Sequence, residues 1–266
     1  MRSFCIDFNK LFEKFLIHER TERDKLENEV KLLNEFGKKL LWRSYERKIT
    51  EMQSYSDSEF GIDEKYYLNK LNFYSELFIH SHTTISKDTS KISLKKIEYL
   101  NLYFVYQTLV FNINYYSDRY THKAVKRRPP GMIQNVYGFI NEHIKYFSKS
   151  YPDIMTLYYT SLMTETGDVK YFDALQNYYR RNKNKFDSNL MTMFYMSSEG
   201  FLKTRSLREP DRKNVLKLFI FRKKSMEGKY FENFFREGKN IPPFLFFSMV
   251  NDAVKLNQTE WAEEFA

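Results

Sequence analysis

The closing stretch, residues 242–266, restricts the fold more than any other. Phe246, Met249, Val250, Ala253 and Leu256 recur at spacings of three and four, which sets them on one face of a helix. Asn257 and Gln258 interrupt the pattern, and Trp261, Ala262 and Phe265 form a second short apolar face behind them. Ala262 puts a small side chain where two antiparallel helices must approach closely. The spacing therefore predicts a helical hairpin. A single hairpin cannot bury its apolar face alone, so further helices must pack against it. The second helix reaches the last residue after about two turns, whereas an ordinary helix runs to about 11–12 residues. The expectation is a chain truncated at its C-terminus, cut from a longer parent.

The rest of the sequence is built for helices too. In 266 residues there are only eight glycines and six prolines. A β-rich chain spends these residues on its many turns, so their scarcity favours long helices with short connections. Twenty-five phenylalanines and 21 tyrosines supply large rings for the seams between them. One cysteine, Cys5, excludes an internal disulfide, and no Cys/His zinc spacing occurs. No run of 18 apolar residues is present, so no membrane span is expected. No secretory leader is recognisable in the first residues, and a reducing, cytoplasmic location is expected.

In chain order, Phe4, Phe8, Leu11, Phe12, Phe15 and Leu16 share a helical face. Thr21 caps a helix expected to continue to about residue 54, burying Leu26, Val30, Leu33, Phe36 and Leu40 and then Leu41, Trp42, Tyr45 and Ile49. Asp63 caps a third, with Tyr66, Tyr67, Leu71, Tyr74, Leu77 and Phe78 inside, fraying at residues 80–84. Ser93 caps a fourth, to about residue 120. Its Ile97, Leu100, Phe104, Leu109, Phe111 and Tyr115 leave little polar face, which predicts a central helix. Residues 123–131, with two prolines and a glycine among basic side chains, form the clearest break. They are expected to divide an N-terminal helical region, 1–122, from an array of hairpins, 132–266, or else to form an exposed loop within one solenoid.

In that array one helix is expected over 132–148, and Pro152 opens the next, which Gly167 ends. Asp168 caps 169–185, Asp187-Ser188 caps 189–205, and Pro210 opens 211–226. Thirty-six positions separate Pro152 from Ser188, close to a tetratricopeptide period, but 54 separate Ser188 from Pro242. The hairpins are therefore degenerate. Tyr151-Pro152-Asp153-Ile154, Tyr158-Tyr159, Tyr171-Phe172, Leu175, and Val250, Ala253 and Leu256 leading into Glu260-Trp261-Ala262-Glu263-Glu264-Phe265 carry a resemblance, as do Tyr66-Tyr67-Leu68 and Lys70-Leu71. They resemble a family of uncharacterised bacterial proteins with tetratricopeptide-like helical repeats. The likeness is loose over most of the chain and close at its end. It departs at residues 188–208, where Tyr195-Met196-Ser197-Ser198 stands in place of a family-like Asn-Tyr-Cys run. The resemblance implies an α-solenoid, and it carries over no catalytic residue.

Candidate chemistry is sparse. Glu76 and His80 lie one turn apart, as a metal pair would, but His82 points elsewhere and no third ligand is near. His18 with Glu22, and Glu142 with His143, are pairs of the kind found on solvated surfaces. No glycine-rich phosphate loop or nucleophile elbow is present. Formal net charge is +9. The basic groups are Lys123, Lys126, Arg127 and Arg128; Arg180, Arg181, Lys183 and Lys185; and Arg222, Lys223 and Lys224. With Tyr178 and Tyr179 beside them they would track a phosphate backbone and stack bases. The last two groups also sit where cations complement helix C-termini.

The sequence thus predicts an all-α chain, an α-solenoid of degenerate TPR-like hairpins with longer helices in the N-terminal part. Its expected role is a non-enzymatic scaffold holding a protein or peptide partner, without catalytic residues, metal or cofactor. The alternative is an RNA- or DNA-binding repeat using Lys126, Arg127, Arg128, Arg180 and Arg181. The open C-terminal hairpin is expected to favour self-association.

Overall fold

The computed structural model describes residues 25–54, 64–83, 89–122, 131–209, 211–227 and 243–265. Among these every regular element is helical: α1 (Lys25–Lys38), α2 (Trp42–Ser54), α3 (Glu64–Thr83), α4 (Thr89–His122), α5 (Met132–Glu142), α6 (Ile144–Ser150), α7 (Pro152–Thr166), α8 (Val169–Arg181), α9 (Ser188–Arg208), α10 (Arg212–Glu227), α11 (Pro243–Lys255) and α12 (Thr259–Phe265), with one 3-10 turn at Lys183–Lys185. The chain forms two compact units, Met1–Phe104 and Val105–Ala266, and the boundary falls inside α4. Of the break expected at 123–131, residues 123–130 lie outside the described residues, as do the face expected from Phe4 to Leu16, the caps Thr21 and Asp63, and Pro210 and Pro242.

In the first unit α1 packs on α2 and α3. Leu26, Val30 and Leu33 of α1 are buried in this unit, as are Tyr45, Ile49 and Met52 of α2 and Tyr67, Phe73 and Leu77 of α3. Polar ties lock the same seams. Lys48 pairs with Glu29 across α1 and α2. Asn34 donates to Glu76 Oε1 at 2.6 Å, and the Tyr45 hydroxyl donates to the Glu76 carbonyl at 3.0 Å.

Four expectations fail here. The single helix to residue 54 is two, because Leu40 turns left-handed (φ 56°) and ends α1. The amides of Leu41 and Leu40 donate back to the carbonyls of Phe36 and Gly37, closing a Schellman motif. As a result Leu40, Leu41 and Trp42 are exposed rather than buried. The fraying expected at His80 does not occur: α3 runs to Thr83, and the His80 ring stacks on Tyr45 at 4.8 Å. The fourth helix begins at Thr89, so Ser93 is no cap but donates to the Thr89 carbonyl. Its buried side is Tyr99, Leu102, Val105, Tyr106, Leu109 and Tyr116, while Ile97, Leu100, Phe104 and Phe111 face solvent. That helix is apolar all round, so periodicity could not choose the inner face.

In the second unit α5 and α6 replace the single helix expected over 132–148, broken at His143. α7 packs on α6, α8 and α9, α9 on α10, α10 on α11, and α11 on α12. The punctuation read from the sequence is largely realised. Pro152 opens α7, and Gly167 closes it with φ 69°, its amide bonded to the Met163 carbonyl. The Asp168 side chain accepts from the Lys170 amide, Asp187 from Leu190, and Asp211 from Asn214, each satisfying an otherwise orphaned N–H. α7 is the most deeply buried helix, with Ile154 and Met155 fully enclosed. Rings fill the seam between α8 and α9: Tyr179 stacks on Phe194 at 4.4 Å and Phe172 on Phe201 at 5.5 Å.

Candidate functional site

In the second unit a cleft of about 420 Å³ lies between the C-terminal half of α4, α7 and α9. Its geometry follows from the central helix. Thr156, Thr160 and Thr164 form one ridge of α7, and each hydroxyl donates to the carbonyl four residues earlier at 2.7–2.8 Å. Their protons are committed within the helix, so the ridge offers methyls and acceptor oxygens. Ile113, Met163, Met196 and Phe201 add an apolar wall. At the far end stand Arg205, Arg208 and Thr204 of α9.

Arg205 is held in place. Its Nε donates to Asn214 Oδ1 at 3.2 Å, and its Nη2 lies 3.3 Å from Glu209. Arg208 lies over the turn that ends α7, where a Cβ on Gly167 would stand 3.9 Å from its Nη1. A guanidinium there complements the C-terminal end of the α7 dipole. The cleft therefore has a cationic, hydroxyl-bearing end beside an apolar wall, with Glu209 as its carboxylate. Such a lining recognises a group that is polar or anionic at one end and apolar at the other.

Behind α7 lies a buried polar network. Asn112 Nδ2 donates to the Tyr137 hydroxyl (3.1 Å) and to Ser161 Oγ (2.8 Å), and Tyr137 donates to Glu165 at 2.9 Å. Burial pushes the Tyr137 hydroxyl well above its ordinary range, and Glu165 adds to the effect, so the phenol stays protonated. This ties α4, α5 and α7 together.

A smaller hollow of about 200 Å³ in the first unit is lined by Asn34, Lys38, Trp42, Tyr45, Glu76 and His80, among others. It contains the Glu76/His80 pair, but His80 faces Tyr45 and Trp42, and Glu76 is engaged by Asn34. No group of three potential metal ligands occurs among the described residues. Glu142 and His143 are exposed, with His143 against the Phe139 ring.

The basic stretches fare differently. Lys126, Arg127 and Arg128 lie outside the described residues. Arg180 and Arg181 are exposed at the end of α8. Tyr178 beside them is buried, its hydroxyl on the Ser148 carbonyl, and Tyr179 is stacked in the core. Arg222 leaves the surface altogether. It is 2% exposed and bonds Glu199, Ser248 and Asp252. Sequence reasoning missed this role, although Leu218, Arg222 and Ser225 repeat at four and three on the buried side of α10.

α11 and α12 pack on one another. Met249, Ala253, Leu256 and Ala262 are buried, with Phe246, Val250, Trp261 and Phe265 half-buried around them. The unforeseen partner is Phe219 of α10, whose ring meets Trp261 edge-on at 4.8 Å. Phe265 stacks on both Trp261 (4.5 Å) and Phe246 (5.4 Å). Among the described residues no helix is long and apolar enough to cross a membrane. Comparison of the chain with protein-family models, with curated proteins and with solved structures finds no match.

Proposed function

We propose that the chain is a non-enzymatic helical-repeat scaffold that holds a peptide segment of a protein partner. In this reading α7–α8, α9–α10 and α11–α12 are degenerate TPR-like hairpins stacked as an α-solenoid. The packing of α7 on α8 and α9, of α9 on α10, of α10 on α11 and of α11 on α12 supports it. The observation that carries the functional part is the α4/α7/α9 cleft, where two guanidiniums and a run of hydroxyls stand beside methionine and phenylalanine. Cleft residues of these types bind and orient, and thioether side chains adapt their shape to a bound chain.

The nucleic-acid alternative keeps Arg180 and Arg181 but has less support. Tyr178 and Tyr179 are spent in the core, and Arg222 is neutralised by carboxylates, so neither the stacking of those two rings nor Arg222 of the third basic group is on offer.

A photo-crosslinking residue at Met196, in the full chain expressed in its own host, tests the scaffold reading. A discrete adduct that disappears on Arg205→Gln/Arg208→Gln supports it. Labelling no stronger than from the same probe at exposed Asn189 overturns it.

A further inference from the structure

The corner between α1 and α2 is built against the usual rules. Lys38, Lys39, Leu40, Leu41, Trp42 and Arg43 are all exposed. Leu40 is 67% accessible, Leu41 47% and Trp42 43%. Three consecutive large apolar side chains thus stand in solvent at a tight turn, with two cations before them and one after. Arg47, one turn further along α2, is exposed as well. Ile79 of α3, 58% exposed, lines the same hollow as Trp42 and Lys38. The indole rests against the rings of Tyr45 and His80, which fixes its position.

The backbone makes the arrangement costly. Leu40 occupies the left-handed C′ position of a Schellman motif, where glycine or asparagine is the ordinary choice. Another such motif among the described residues obeys that rule, with Asn257 at φ 59° and its neighbours bonded in the same pattern. A β-carbon in this conformation is strained. Leu40 gains no burial in return, so neither folding nor solubility explains a leucine there. Outliers of this kind are retained where the side chain serves something outside the fold.

The chemistry of the corner identifies the partner. Lys38, Lys39, Arg43 and Arg47 stand against the carboxylates Glu35 and Glu46, leaving an excess of two positive charges around an apolar tip. Nucleic acid would use the indole but has no place for two leucines. A bilayer of anionic lipid uses every part. Leucines enter the acyl boundary, tryptophan seats at the headgroup level, and lysine and arginine reach the lipid phosphates. We propose that the Lys38–Arg43 corner is a membrane-docking knuckle that binds the chain peripherally to an anionic bilayer surface. This site lies in the first unit and is independent of the cleft of the second.

The test is sedimentation of the full chain with vesicles of phosphatidylcholine, alone or with about one third phosphatidylglycerol. Trp42 emission is followed in a Trp261→Phe background, because the chain holds only two tryptophans. The expected result is binding to the anionic vesicles, with a blue shift of Trp42, and little binding to the neutral ones. Lys38→Gln/Lys39→Gln should weaken partitioning by roughly 25-fold, about fivefold per cation. Leu40→Gly, which suits the left-handed backbone and leaves the fold intact, should weaken it several-fold with all charges in place. Equal binding to both vesicle types, no binding to either, or an unmoved Trp42 spectrum overturns the proposal. A corner that instead served an acidic protein segment would give the second of these.

Discussion

Arg222 of α10 donates from Nε (3.1 Å) and Nη2 (2.6 Å) to a single carboxylate oxygen of Glu199 on α9. Its Nη1 reaches Asp252 of α11 at 2.9 Å, so one buried guanidinium joins three consecutive helices. Removing it leaves the buried Asp252 and the half-buried Glu199 without their cation. Arg222→Met should cost about 3–5 kcal/mol in urea unfolding. Replacing Arg222, Glu199 and Asp252 together by apolar residues should return most of that loss, since a buried ion triad is a weak net stabiliser. A triple variant no more stable than the single one would sink this account.

Two carboxylates share that one cation, so one of them is left without a full countercharge. Burial pushes the Asp252 carboxyl above the ordinary aspartate range, against the pull of Arg222 and Lys255, and Glu199 pushes it further. A raised folded value means the native state holds this proton more tightly than the unfolded chain. The Asp252 contribution to stability is therefore full below the ordinary aspartate value and is lost as pH rises through the raised one. In Asp252→Asn this acid-side slope should flatten, which denaturant midpoints measured across that window would reveal.

Tyr137 shows the same linkage at the alkaline end. Its phenol is held protonated by burial, so stability should decline as pH climbs past the ordinary tyrosine value. Tyr137→Phe should lessen that decline. At neutral pH it should cost about 1–3 kcal/mol, because Ser161 and Glu165 lose a partner in a closed network. Spectrophotometric titration alongside chemical denaturation checks both halves.

Trp261 meets Phe219 edge-on and lies flat on Phe265, so the last helix is fastened through rings to α10. Trp261→Ala should destabilise the second unit by about 3 kcal/mol. A double-mutant cycle with Phe219→Ala should give a coupling of about 1 kcal/mol. Zero coupling would mean that the two rings merely abut.

What the sequence revealed depended on punctuation. Pro152, Gly167, Asp168 and Asp187 stand where only particular residue types fit, so both ends of α7 and the starts of α8 and α9 were readable, whereas the ends expected at 185 and 205 fall at Arg181 and Arg208. Contrast the end of α1. Gly37 lies three residues short of the left-handed position and Leu40 fills it, so nothing announced the break, and three exposed side chains were read as core. On α4, apolar residues surround the helix, and the face chosen from spacing was the solvent side for Ile97, Leu100, Phe104 and Phe111. The cleft was invisible for a related reason. Arg205 and Arg208 of α9 share a cleft with Thr160 and Thr164 of α7 only because α7 and α9 pack, and no local pattern encodes that packing. Arg222 was misread because a cation among lysines looks solvated until the opposing carboxylates are known.

Leu40 gives the sharpest test, because stability and binding are expected to move in opposite directions. A leucine at φ 56° carries a steric cost of about 1–2 kcal/mol that glycine escapes. Glycine loses roughly 0.5–1 kcal/mol of that advantage through the greater freedom of the unfolded chain. Leu40→Gly should therefore raise stability by about 0.5–1 kcal/mol, visible as a higher denaturant midpoint with an unchanged slope. Asn257→Gly is the matched control. Asparagine already tolerates its left-handed site, so that change should be close to neutral. If Leu40→Gly instead destabilises the chain, the exposed leucine is contributing to the fold, and its use for an external surface loses its main support.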